Sequence, residues 1–97
     1  MKFQNKVVDL GTIKQKTTHT VSFYASEDLP KGVRLGSSCG CSIPKLIGDR
    51  EIQVTYKAGS VPLHLIGEGY FKTSKTIYVA HPIFGQEELY LTATVTL

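Results

Sequence analysis

The 97-residue chain contains no tryptophan, one methionine, four prolines and only two cysteines. Without Trp and without a widely spaced cysteine pair, the antibody-domain pattern is missing. The two cysteines, Cys39 and Cys41, are one residue apart. A secreted mini-domain stapled by disulfides uses several cysteines far apart in sequence, so that class is excluded. Closing so short a loop adds little stability, and both thiols are therefore expected to be reduced. No run of like charge exceeds two residues and the net charge is only +3, so nothing resembles a basic nucleic-acid arm. No apolar run approaches the ~20 residues of a membrane span. The first residues, Met1 to Leu10, lack the apolar stretch of roughly 7–15 residues that a signal peptide needs. The expected setting is the cytoplasm, unless a larger particle carries the chain out or a processed precursor has lost its signal.

What is present is the balance of a folded domain, with 41% hydrophobic and 20% charged residues. Residues 1–97 fit one domain. Alternation of period two dominates. His19, Val21, Phe23 and Ala25 fall on one face of a segment whose other face carries Thr18, Thr20, Ser22 and Tyr24. Ile52, Val54 and Tyr56 repeat the pattern, as do Ile77 and Val79. The cleanest stretch sets Leu89, Leu91, Ala93, Val95 and Leu97 against Glu88, Tyr90, Thr92, Thr94 and Thr96. Branched and aromatic side chains of this kind suit a pleated surface.

Turn signals separate these runs: Leu29-Pro30-Lys31-Gly32, Ile47-Gly48-Asp49-Arg50, Ala58-Gly59-Ser60-Val61-Pro62 and His81-Pro82-Ile83-Phe84-Gly85. The four prolines are expected outside the alternating runs or at their ends, because proline removes a ladder donor. The pattern predicts about seven strands, near residues 6–10, 17–25, 32–38, 51–57, 63–66, 71–79 and 87–97. Short strands with a turn signal every ten or so residues indicate an all-β sandwich or barrel.

The segment Ser37-Ser38-Cys39-Gly40-Cys41-Ser42 resembles the signature of a bacterial immunoglobulin-like family of unknown function, whose centre reads Ser-Cys-Gly-Cys-Thr. The stretches from Arg50 to Ser60, from Gly67 to Val79 and from Leu89 to Val95 resemble that family's later strands. The family is similar to Hydin-type and sperm-protein-like immunoglobulin domains. The resemblance implies a single immunoglobulin-like β-sandwich of about seven antiparallel strands, used for binding and packing rather than catalysis. It departs from the family at Ser26–Pro30 and Ile47–Asp49, where different turns are usual.

Cys39-Gly40-Cys41 carries the sharpest chemistry. Two thiolates favour a soft metal such as Cu(I) or Zn, and His19, His64 and His81 are the only histidines that could complete a site. The plainer reading puts both sulfurs into the core from one strand face, with Gly40 permitting a bulge or a close backbone approach. His19 reads as a partly buried strand histidine, His64 as lying on a strand's outer face and His81 as a turn residue. A Cys-His nucleophile lacks any oriented base or oxyanion hole in the pattern. Asp49-Arg50-Glu51 and Glu87-Glu88 flank strand starts and read as solvated caps. Gly67-Glu68-Gly69 has no following helix and is no phosphate loop.

With no catalytic set, the sequence predicts a non-enzymatic protein without a cofactor, acting through its surface. Tyr24, Tyr78 and Tyr90 point outward from their strands, and Phe84 stands at a turn tip. These four residues are the interface candidates. The concrete expectation is a multi-copy component of a tailed bacteriophage virion, a capsid decoration or neck protein. Its partners would be other capsid or neck subunits, with neither nucleic acid nor membrane. The alternative is an envelope-associated module binding a soft metal at Cys39 and Cys41.

Overall fold

Alternation decides which side chains meet inside. In the computed structural model, which describes Met1–Leu97, seven strands follow in chain order. They are β1 (Val7–Lys14), β2 (Thr18–Tyr24), β3 (Arg34–Ser37), β4 (Ser42–Ile47), β5 (Glu51–Lys57), β6 (Tyr70–His81) and β7 (Gly85–Thr96). Leu89, Leu91, Ala93 and Val95 of β7 are all buried, and so are Ile52, Val54 and Tyr56 of β5. The other face of each strand carries mainly Thr, Glu, Gln and Tyr.

These apolar faces oppose one another across two sheets. One has the order β1-β7-β6-β3 and the other β2-β5-β4. Neighbours are antiparallel except β1 and β7, which are parallel, so the expectation of seven antiparallel strands is corrected at that pair. The interior has two apolar clusters. One gathers Phe23, Ile52, Val54, Ile77, Val79 and Leu89. The other gathers Ile13, Tyr56, Ala58, Leu91, Ala93 and Val95. The only buried polar residue is Ser42. The molecule is elongated, 47 × 18 × 16 Å, because β6 and β7 are 12 residues long and run its length. A hairpin end, at His81–Gly85, therefore lies far from the end where β6 begins and β7 finishes.

Two further expectations are corrected. The strand expected near 63–66 is a 3₁₀ turn, Leu63–Leu65. Pro62 precedes it and Gly67 and Gly69 follow, and no neighbouring strand offers a ladder. His64 is thus exposed on a turn rather than on a strand. Conversely, Ser42–Ile47 forms β4 although Pro44 sits in its middle. Only β5 pairs with it, so β4 is an edge where a missing amide is tolerated. The expectation that every proline avoids the strands fails at this residue.

The turns explain their glycines selectively. Gly85 closes the β6–β7 hairpin at φ +82°, a conformation that L side chains rarely adopt. Lys16 takes φ 61° between β1 and β2 without that freedom. It is fixed there by its amide, which donates to the Ala58 carbonyl at 3.0 Å.

Candidate functional site

At the hairpin end one imidazole organises the surface. His81 Nδ1 accepts from the backbone amides of Ile83 at 3.1 Å and Phe84 at 3.4 Å. The ring proton must then sit on Nε2, which donates to the Lys31 carbonyl at 2.9 Å. His81 so ties the β6–β7 turn to the β2–β3 loop, and its ring lies 5.0 Å from that of Phe84. With their amides held inward, Ile83 and Phe84 project into solvent, 81% and 59% exposed.

Beside Phe84 lies a groove of about 310 Å³ with Met1, Leu29 and Pro30 as its other apolar members and Lys2, Glu27 and Asp28 at its rim. Its walls are held by main-chain bonds. Leu29 donates to the Asp49 carbonyl at 2.8 Å, and Ser26 to that of Lys2 at 2.9 Å. Arg50 Nε donates to Asp28 Oδ1 at 2.7 Å, and this bond raises the guanidinium pKa further above its ordinary value. The pair is exposed and orients the loop rather than stabilising the fold.

The four interface candidates do not converge. Tyr78 and Tyr90 share the outer face of the four-stranded sheet, paired across strands with Glu88 and Thr76. Both are half-buried. The Tyr90 hydroxyl donates to Glu88 Oε2 at 2.7 Å, which raises the Tyr90 pKa. Tyr78 lies over Gly36, where a Cβ would stand 3.8 Å from its own. Tyr24, 46% exposed, is on the outer face of the three-stranded sheet. Phe84 alone stands at the hairpin end. Sequence reasoning did not connect it with Met1, Leu29 and Pro30, because these residues meet only through the loop geometry. The Leu29-Pro30 turn signal was visible, but its neighbour was not.

The cysteines correct a further expectation. Cys39 and Cys41 are joined by a disulfide, with their Cα atoms 5.1 Å apart. In an extended strand, residues i and i+2 stand about 6.6 Å apart, near the limit for a bridge. Here the pair occupies a turn between β3 and β4 rather than a strand, which brings the sulfurs together. Gly40 is neither a bulge nor a point of close approach: nothing lies within 4 Å of where its Cβ would be. Chain entropy gives a three-residue loop only about 1.6 kcal/mol of stabilisation, against ~3 for fifteen residues.

The soft-metal alternative rests on these same two cysteines. Its two sulfurs are bonded to each other, and no group of three or more His, Cys, Asp or Glu side chains comes together. His19, half-buried on β2, contacts Thr17 Oγ1 through Nε2 at 2.8 Å. That hydroxyl already donates its proton to the Lys14 carbonyl at 2.6 Å. His19 Nε2 is therefore the donor, and the pair buttresses the β1–β2 turn instead of forming a nucleophile and its base.

No family model and no curated protein sequence matches this chain.

Proposed function

We propose that this domain is a non-catalytic docking module whose working surface is the hairpin end, and that it serves as a repeated structural component of a larger assembly. The observation that carries the reading is the pre-organised exposure of Ile83 and Phe84 beside the Met1-Leu29-Pro30 groove. With the main chain of Ile83 and Phe84 already fixed by His81, only their side-chain rotamers remain to be ordered when a partner covers them. An exposed aromatic anchor beside a pocket is the usual core of a protein–protein contact. The partner chemistry that fits is a protein surface with an apolar protrusion to fill the groove and a polar rim to meet Lys2, Glu27 and Asp28.

The finer fold belongs to the same reading. Strands β3-β6-β7 facing β2-β5-β4 match the C-F-G and B-E-D sheets of an immunoglobulin-like sandwich, with the first strand running parallel to the last. Such a fold hosts many functions, so it supports a binding module without naming one. The resemblance of Ser37–Ser42 to the bacterial immunoglobulin-like family is part of this proposal. So is the setting, a tailed bacteriophage virion in which the domain decorates the capsid or lies in the neck.

Rate-zonal sedimentation of native source material, with the chain followed by mass spectrometry, tests the proposal. Migration with a megadalton particle supports it. A chain that stays at the top of the gradient as a free 10.7 kDa domain overturns the assembly role.

A further inference from the structure

We infer that the Cys39–Cys41 disulfide is an exchangeable bond that reacts with thiols, rather than a staple of the fold. Four observations point to it. The bond spans a sequence separation of two and constrains almost nothing beyond the turn it sits in. That turn is held without it: Ser37 Oγ donates to the Cys39 carbonyl at 2.8 Å, and the Ser42 amide donates to the same carbonyl at 3.1 Å. Ser38 is also bonded to Thr76 in both directions, amide to carbonyl at 2.9 Å and Oγ from amide at 2.9 Å. Both cysteines are only half-buried, whereas an inert structural cysteine is enclosed.

The surroundings distinguish the two sulfurs. Cys41 packs against the apolar cluster of Tyr56, Leu91 and Val95, which leaves Cys39 as the approachable one. A thiolate from a small thiol attacks Cys39 Sγ. The new bond joins donor sulfur to Sγ of Cys39, the Cys39–Cys41 bond breaks, and the electron pair leaves on Cys41 Sγ, which takes a proton from water. The Ser42 hydroxyl lies 3.9 Å from that sulfur. A second donor thiolate attacks the donor sulfur of the mixed disulfide and releases Cys39 as a thiolate, which the Cys41 amide meets at 3.1 Å. The donor leaves as its own disulfide, so the domain is reduced by two electrons and two thiols are oxidised. An amide hydrogen bond to a leaving sulfur stabilises the charge that develops there.

The test uses the intact chain and glutathione. Wild-type protein equilibrated in reduced and oxidised glutathione is quenched by alkylation and weighed by mass spectrometry, with circular dichroism on the same samples. The expected result is complete reduction in excess reduced glutathione with an unchanged β spectrum. Retention of the disulfide under those conditions, or loss of the β spectrum on reduction, overturns the inference. Oxidised glutathione added to Cys41→Ser should trap a mixed disulfide on Cys39 at least tenfold faster than Cys39→Ser traps one on Cys41. Equal rates would overturn the assignment of Cys39 as the attacked sulfur. The site lies on the β3–β4 flank, away from the hairpin end, so its failure leaves the docking proposal untouched.

Discussion

Both ends of this domain expose apolar side chains, yet they are built differently. At the hairpin end, Ile83 and Phe84 are fixed by a side chain, His81, which bonds two amides of its own turn and a carbonyl of the neighbouring loop. At the other end, Leu63 and Ile66 are 87% and 44% exposed. They ride on a 3₁₀ turn closed by main-chain bonds, Leu65 to Pro62 at 2.9 Å and Ile66 to Leu63 at 3.3 Å, and the side-chain bond at its entrance, from the Val61 amide to Gln15 Oε1 at 3.0 Å, holds neither exposed residue. The difference teaches that exposure is a weak sign of a binding surface and that exposure held in place by a cross-loop bond is a stronger one. A turn whose main chain is less firmly tied must be ordered when a partner arrives, and that cost is subtracted from affinity.

The most severe way to break the comparison is to remove the body that carries both ends. Phe23→Ala, at a fully buried position, should lower stability by about 3–5 kcal/mol in urea denaturation. Both ends should lose structure in one transition, and two separate transitions would show that they do not share a core. Next in size is the binding effect. If the docking proposal holds, Ile83→Ser with Phe84→Ser should reduce retention on the proposed assembly at least tenfold, about 1.4 kcal/mol, while stability moves by no more than ~0.5 kcal/mol. The matched pair Leu63→Ser with Ile66→Ser should leave retention unchanged, and equal losses at the two ends would erase the distinction.

A third substitution separates the scaffold from the anchor. His81→Ala removes the acceptor for two amides and the donor to Lys31, and should cost about 1–2 kcal/mol by thermal unfolding. Retention should fall although Ile83 and Phe84 are intact. The smallest effect is a pH dependence that arises from the body alone. Burial pushes the Tyr56 hydroxyl above its ordinary value of 10.0. The folded state then holds that proton more tightly than the unfolded chain. Its contribution is fully present below pH 10.0 and is lost as pH rises through the raised pKa. Tyr56→Phe should flatten the alkaline limb of the stability profile, measured by urea midpoints across that range.

The sequence makes the body legible and leaves the ends obscure. Strands β2, β5 and β7 follow directly from alternation, since each buries one face against the opposite sheet. β4 escapes because Pro44 breaks the pattern and because an edge strand needs no continuous apolar face. The false strand at 63–66 arises because Leu-His-Leu alternates locally, while the absence of a pairing partner is a property of the whole fold. Phe84 is legible as an apolar residue at a turn tip. The role of His81 is not, since its bond to the Lys31 carbonyl spans fifty residues of sequence and only its two amide partners lie in its own turn. For the cysteines, the reading of both sulfurs on one strand face fails because the chain turns between β3 and β4, and the reduced state expected from the short loop gives way to a disulfide.

Hydrogen–deuterium exchange of the chain within the assembly proposed for it, compared with the free domain, tests the docking proposal most directly. The account predicts added protection at residues 26–32 and 81–85, around the Phe84 groove, with the 62–69 segment unchanged. Protection confined to the outer face around Tyr78 and Tyr90, or to the 3₁₀ turn at Leu63–Leu65, would contradict it.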